Sequence, residues 1–101
     1  MILTYTVRQG VHEHYFKFVT SDFLKSLQRH HLYMQNAWHI SYGEAPERQV
    51  EFITEKLDYI KRLYADPEWE RLERRLRSYV YDYHRRVVPY RYDVKILKSK
   101  R

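Results

Sequence analysis

At 101 residues, 44% hydrophobic and 32% charged, the chain has the composition of one small folded domain. It has no cysteine, which excludes disulfides, thiolate catalysis and cysteine-based zinc sites. That fits a reducing, cytoplasmic setting, the host cytoplasm if the source is viral. No apolar run approaches the roughly 18 residues of a membrane span, and the opening MILTYTVRQ lacks the basic-then-apolar pattern of a signal peptide.

The formal net charge is +6. Residues 1–83 carry twelve Lys/Arg against twelve Asp/Glu, whereas residues 84–101 carry seven against Asp93 alone. The whole surplus therefore lies in the last stretch, and an uneven distribution of this kind points to an anionic partner.

Residues 2–8 alternate, with Leu3, Tyr5 and Val7 opposite Thr4, Thr6 and Arg8, the pattern of a half-buried strand. Gln9-Gly10 supplies a tight turn. Residues 11–19, rich in β-branched and aromatic side chains, read as the returning strand of a hairpin, with His12, His14, Phe16 and Phe18 on one face. Thr20-Ser21-Asp22 is a cluster of helix N-caps. A helix to about Gln35 follows, on a seam of Leu24, Leu27, His31 and Met34. Trp38, Ile40 and Tyr42 alternate as a short edge strand that Gly43 ends.

Pro46 opens a second helix with a seam of Val50, Ile53, Leu57, Ile60 and Tyr64. The organising element spans residues 66–86. Asp66 is an N-cap, Pro67 takes the first helical position, Glu68 and Glu70 face the positive end of the dipole, and His84, Arg85 and Arg86 face the negative end. Trp69, Leu72, Leu76, Tyr79 and Tyr83 form its apolar seam. The matching seams and the short joint imply an antiparallel helix pair. After Pro89, residues 90–96 alternate again as a last strand, and residues 98–101 form a basic tail. The implied class is α+β: a small antiparallel sheet, made of the N-terminal hairpin and the C-terminal strand, packed on about three helices in the order β-β-α-(β)-α-α-β. Phe18-Val19-Thr20 before Phe23 faintly echoes Phe52-Ile53-Thr54 before Leu57, thirty-four residues on.

Two imidazoles, His12 and His14, fall on one face of the presumed second strand and are weak metal-ligand candidates. A His-X-His strand with a helical tyrosine, here Tyr79 or Tyr83, is similar to the signature of rolling-circle replication initiators. That resemblance implies a metal-dependent tyrosine nuclease, but Glu13 stands where that family has an apolar residue. No serine triad, paired-acid arrangement or phosphate-cradling glycine loop is present in the sequence.

The leading expectation is thus a non-catalytic, cofactor-free binding module. Arg71, Arg74, Arg75, Tyr81 and Arg85 share the outer face of the long helix, and Arg91, Lys95, Lys98, Lys100 and Arg101 follow. The predicted nucleic-acid-binding set is Arg74, Tyr81, Arg85, Arg86, Arg91, Lys95 and Lys98, the cations on phosphates and Tyr81 stacking on a base. The alternative is a protein- or peptide-binding accessory protein that uses an aromatic groove or the sheet edge near residues 38–42, with a second copy of itself among the partners. In being cysteine-free, tyrosine-rich and basic, the chain is similar in composition to viral accessory proteins.

Overall fold

The computed structural model describes the backbone of residues 1–42 and 45–89, and the side chains of 1–37 and 47–89. In chain order the elements are β1 (Ile2–Val7), α1 (His12–Phe18), a π-helical turn (Val19–Phe23), α2 (Leu24–Arg29), β2 (Tyr33–Tyr42), β3 (Ala45–Ile53), α3 (Leu57–Ala65), α4 (Pro67–Tyr79) and β4 (Val80–Arg86). The strands form one antiparallel sheet in the order β2-β3-β1-β4. All the helices lie on one face of it. The shortest dimension, 20 Å, is that of two layers.

The sheet's inner face is built by alternation. Leu3, Tyr5 and Val7 of β1 and Phe52 of β3 are buried, and Val80 of β4 joins them. From the helices, Tyr15, Phe18, Phe23, Leu27, Ile60, Leu63, Trp69 and Leu76 meet this face. Phe23 is the hub, within ring contact of Phe18, Phe52 and Trp69.

The α+β class, the antiparallel sheet and the helices on one of its faces agree with the sequence expectation. Several segments do not. Residues 11–19 are helical, not a returning strand, so the N-terminal hairpin is absent: Gly10 does take a positive φ of 83°, but its turn leads into α1. The buried apolar residues of this rod, Tyr15, Phe18, Phe23 and Leu27, are spaced 3-5-4. In a regular α-helix a five-residue step lands about 140° away from the seam. The π turn absorbs the extra residue, with the Leu24 N–H donating to the Val19 carbonyl, and so returns Phe23 to the core. Thr20, Ser21 and Asp22 therefore sit inside the rod instead of capping it.

Residues 46–53 belong to β3, not to a helix: Glu47, Gln49 and Glu51 point one way and Arg48, Val50 and Phe52 the other. Helix returns only at Leu57. The short strand expected at 38–42 is the far end of the longer edge strand β2. The start of α4 is as expected, with the Asp66 carboxylate accepting from the Glu68 N–H at 2.9 Å and Pro67 in the first turn. The end is not. The helix stops at Tyr79, whose carbonyl accepts from the Arg8 N–H at 2.9 Å, and Val80 begins a strand opposite Val7. The fourth strand is thus residues 80–86, and the strand expected at 90–96 lies outside the described residues. The internal echo places Phe18-Val19-Thr20 in a helix but Phe52-Ile53 in a strand, so it marks no repeated motif.

Candidate interaction surface on the open face of the sheet

With every helix on one side, the opposite face of the sheet carries no helix. β1 presents Ile2 and Thr4 there, both half-buried, and Thr6, which its neighbours bury. Across the ladder, Thr6, Thr4 and Ile2 stand opposite Glu47, Gln49 and Glu51 of β3. On the other side they stand opposite Tyr81, His84 and Arg86 of β4. A column bearing two acids and a column ending in His84 and Arg86 thus flank a neutral middle strand, about 10 Å apart at ordinary strand spacing. Glu51 accepts from Asn36 at 3.4 Å and Gln49 at 3.3 Å. Glu47, His84 and Arg86 form no hydrogen bond or ion pair through their side chains among the described residues. Tyr33 (50% exposed) and Ile53 (38%), which pair across β2 and β3, add an apolar corner. Val87 and Val88, just past β4, are also exposed.

A bulge in β4 sets which side chains reach this face. The register shifts between Thr4 and Thr6, leaving Asp82 and Tyr83 together opposite Tyr5, and Asp82 takes φ 55°. Tyr81 and His84 therefore share the open face although they are three residues apart. Tyr83 turns inward, where its ring stacks on Tyr5 at 6.3 Å and its hydroxyl donates to Glu73 Oε2 at 2.7 Å. Burial, then the Glu73 carboxylate, push the Tyr83 phenol well above its usual range, so it stays neutral.

The expected nucleic-acid patch is dispersed by this geometry. Arg74 lies on α4 and pairs with Glu70 at 3.2 Å. Arg85 faces inward, holding Glu73 at 2.7 Å with its guanidinium 4.3 Å from the Tyr64 ring centroid. Tyr81 and Arg86 are on the opposite side of the sheet, and the guanidinium of Arg8 lies 5.6 Å from the Tyr81 ring centroid. Arg91, Lys95 and Lys98 lie outside the described residues. Of the other arginines expected on the helix, Arg75 pairs with Asp22 at 3.3 Å. The shared outer face existed only if residues 80–86 continued the helix.

His12 and His14 are exposed on the first turn of α1. Residues two apart share a face on a strand but not on a helix, so the pairing that made them metal candidates is lost. Among the described residues no group of three His, Cys, Asp or Glu side chains is placed to hold a metal ion. The tyrosines of the nuclease resemblance are engaged elsewhere: Tyr83 donates to Glu73, and Tyr79 packs its ring on Phe18 at 5.7 Å. Among the described residues no helix is long and apolar enough to cross a membrane.

A β-α-β-β-α-β order, counting each helical rod as one unit, with an antiparallel sheet ordered β2-β3-β1-β4 defines the ferredoxin-like class of split βαβ folds. Within that class the chain is similar to two solved NIPSNAP structures. One is an uncharacterised NIPSNAP domain protein from Burkholderia xenovorans, with TM-score 0.65 and 18% identity over 90% of this chain and 93% of that one. The other is a NIPSNAP family protein from Agrobacterium tumefaciens, with TM-score 0.61 and 14% identity over 90% of this chain and 84% of that one. No family model and no curated protein matches the sequence. These likenesses share the fold. The nucleic-acid expectation is overturned: the solved structures that the chain resembles are NIPSNAP domains, and the shared basic face is broken up, with Arg74 and Arg85 paired to Glu70 and Glu73 and Arg86 on the far side of the sheet.

Sequence reasoning named Tyr81 and Arg86, which do reach the open face, but missed Glu47, Gln49 and Glu51. Their signal is the strict alternation of ERQVEF, which the helical spacing from Val50 to Tyr64 masks.

Proposed function

We propose that the chain is a non-catalytic protein-binding module whose docking surface is the open face of its sheet, and that its partner there is a second copy of the chain. The observation that carries this is the pair of opposed charge columns. A two-fold axis along β1 would set Glu51 of one copy over Arg86 of the other and Gln49 over His84, with Ile2 and Thr4 in the dry middle. The exposed Tyr33, Ile53, Val87 and Val88 would supply apolar contact at the rim. A two-layer α+β unit leaves one sheet face to solvent or to a partner, and here that face holds unmatched charges of both signs.

Sedimentation tests it. The expected result is a species of twice the 12.7 kDa chain mass, weakened by salt and dissociated by Thr4→Arg, which drives a charge into the centre of the face. A chain that stays monomeric at the highest attainable concentration overturns self-association. Binding of a different protein that Thr4→Arg abolishes would likewise replace the second copy as occupant.

A further inference from the structure

On the helix side of the sheet, a cavity of about 230 Å3 lies between the π turn and strands β1, β2 and β3. Leu3, Val19, Phe23, Leu24, Val50 and Phe52 form its apolar walls. Phe16 (63% exposed) and Met34 (49%) stand at its mouth. The π turn shapes it: the extra residue swings Val19, Thr20 and Phe23 against the opening, and turns of this kind recur at functional sites.

Besides Thr20, whose hydroxyl is already donated to the Phe16 carbonyl at 2.9 Å, three polar groups of the described residues reach the cavity. Tyr5 and Tyr15 share a hydrogen bond, Oη to Oη at 2.6 Å, and both phenols are buried. Whichever donates, the other's O–H remains to be donated, and no acceptor meets it among the described residues. Burial, then the neighbouring Tyr15, push the Tyr5 phenol far above its usual range, so it remains a neutral donor. The third group is Arg48, its guanidinium carbon 5.2 Å from the Tyr15 ring centroid. The Arg48 Nε is buried without a hydrogen-bond partner, and among the described residues no carboxylate pairs with the side chain. Among the described residues no acid lines the cavity. Unused donors and a positive charge in an apolar pocket suit an anion with a hydrophobic body.

We propose that this cavity is a binding site for a small aryl monocarboxylate, its ring among the apolar walls and its carboxylate on Arg48 and the Tyr5–Tyr15 pair. Size supports the class: an apolar cavity of about 150 Å3 takes benzene, so the larger volume here has room for a ring with a short acid arm. The site is independent of the open-face interface, since it lies on the other side of the sheet.

Calorimetric titration with phenylacetate and its neutral counterpart phenylacetamide tests the proposal. The full chain is expected to bind phenylacetate one to one and about tenfold or more tighter than the amide, the scale of a charge-assisted hydrogen bond. Arg48→Met should erase that preference by weakening the acid alone, and Tyr5→Phe should weaken the acid severalfold. If Arg48→Met does not fold by circular dichroism, Arg48→Lys serves in its place, keeping the charge but losing the fork, with severalfold weaker acid binding expected. No binding of phenylacetate to the unaltered chain overturns the proposal. Equal affinity for acid and amide, or undiminished acid binding in the folded Arg48 variant, overturns it as well.

Discussion

The two halves of the helical layer cover one sheet in different ways. Under α3 and α4 the cover is closed. Leu63 and Leu76 are fully buried, and the Trp69 ring lies 5.6 Å from that of Phe23 and 6.2 Å from that of Tyr64. Arg85 fills the gap beside them, held by Glu73 and capped by the Tyr64 ring. Under α1 and the π turn the cover is incomplete. The 3-5-4 spacing of Tyr15, Phe18, Phe23 and Leu27 forces a widened turn, and beneath it lies a cavity reached by unused donors. A regular seam seals against a sheet, whereas a seam with one extra residue leaves room, and here the room has chemistry.

The contrast can be broken from the closed side first. Trp69→Ala should cost about 3–5 kcal/mol in chemical denaturation, because its neighbours cannot collapse into the space. A loss no larger than that of a surface substitution would show that α4 is not the sealed half.

Next comes the acid that locks this half. Glu73 accepts from both Tyr83 and Arg85 at 2.7 Å. Glu73→Ala should cost about 2 kcal/mol by the same measurement, since two charge-assisted bonds are lost and Arg85 is left partly buried.

Deleting Ser21 sharpens the comparison from the open side. It changes the spacing to 3-4-4, so the rod can wind as a regular α-helix and close over the cavity. The fold should be retained by circular dichroism, while phenylacetate binding is lost. Retained binding would separate the cavity from the π turn.

The smallest effect is a pH dependence at the α4 cap. The Asp66 carboxylate is held below its ordinary value, chiefly by the Glu68 backbone N–H, with His30 Nε2 at 2.9 Å adding to it. A depressed folded-state value stabilises the fold above the unfolded carboxylate value of about 3.9 and loses that contribution as pH falls through the folded one. Asp66→Asn, which still caps, should flatten the acid limb of a stability–pH profile and lower its neutral plateau by the small amount that the limb had carried.

How much of this was legible in the sequence follows the same division. The closed half announces itself: Asp66, Pro67 and the acids of the first turn mark the start of α4, and Trp69, Leu72 and Leu76 mark its buried side. Its end was hidden because Tyr79 and Tyr83 continue the helical spacing while Val80 pairs with Val7, a partner more than seventy residues away in the chain. The open half misleads at both steps. Phe16 and Phe18 alternate like a strand, and only tertiary packing reveals that Phe18 and Phe23 share a side through the π turn. Residues 46–53 fit helical spacing through Val50 and Ile53, yet β3 lies between β1 and β2 as a central strand. Arg48 was invisible as a site residue for that reason. Its position under Tyr15 depends on a strand register that local pattern does not encode.

The most direct measurement is an amide-shift titration of the full chain with phenylacetate. The expected perturbations fall on Tyr15, Val19, Thr20, Arg48 and Val50, while the amides of α4 and the open-face threonines, Thr4 and Thr6, stay still. Shifts concentrated along α4 or across the open face, or no shifts at all, would contradict the account.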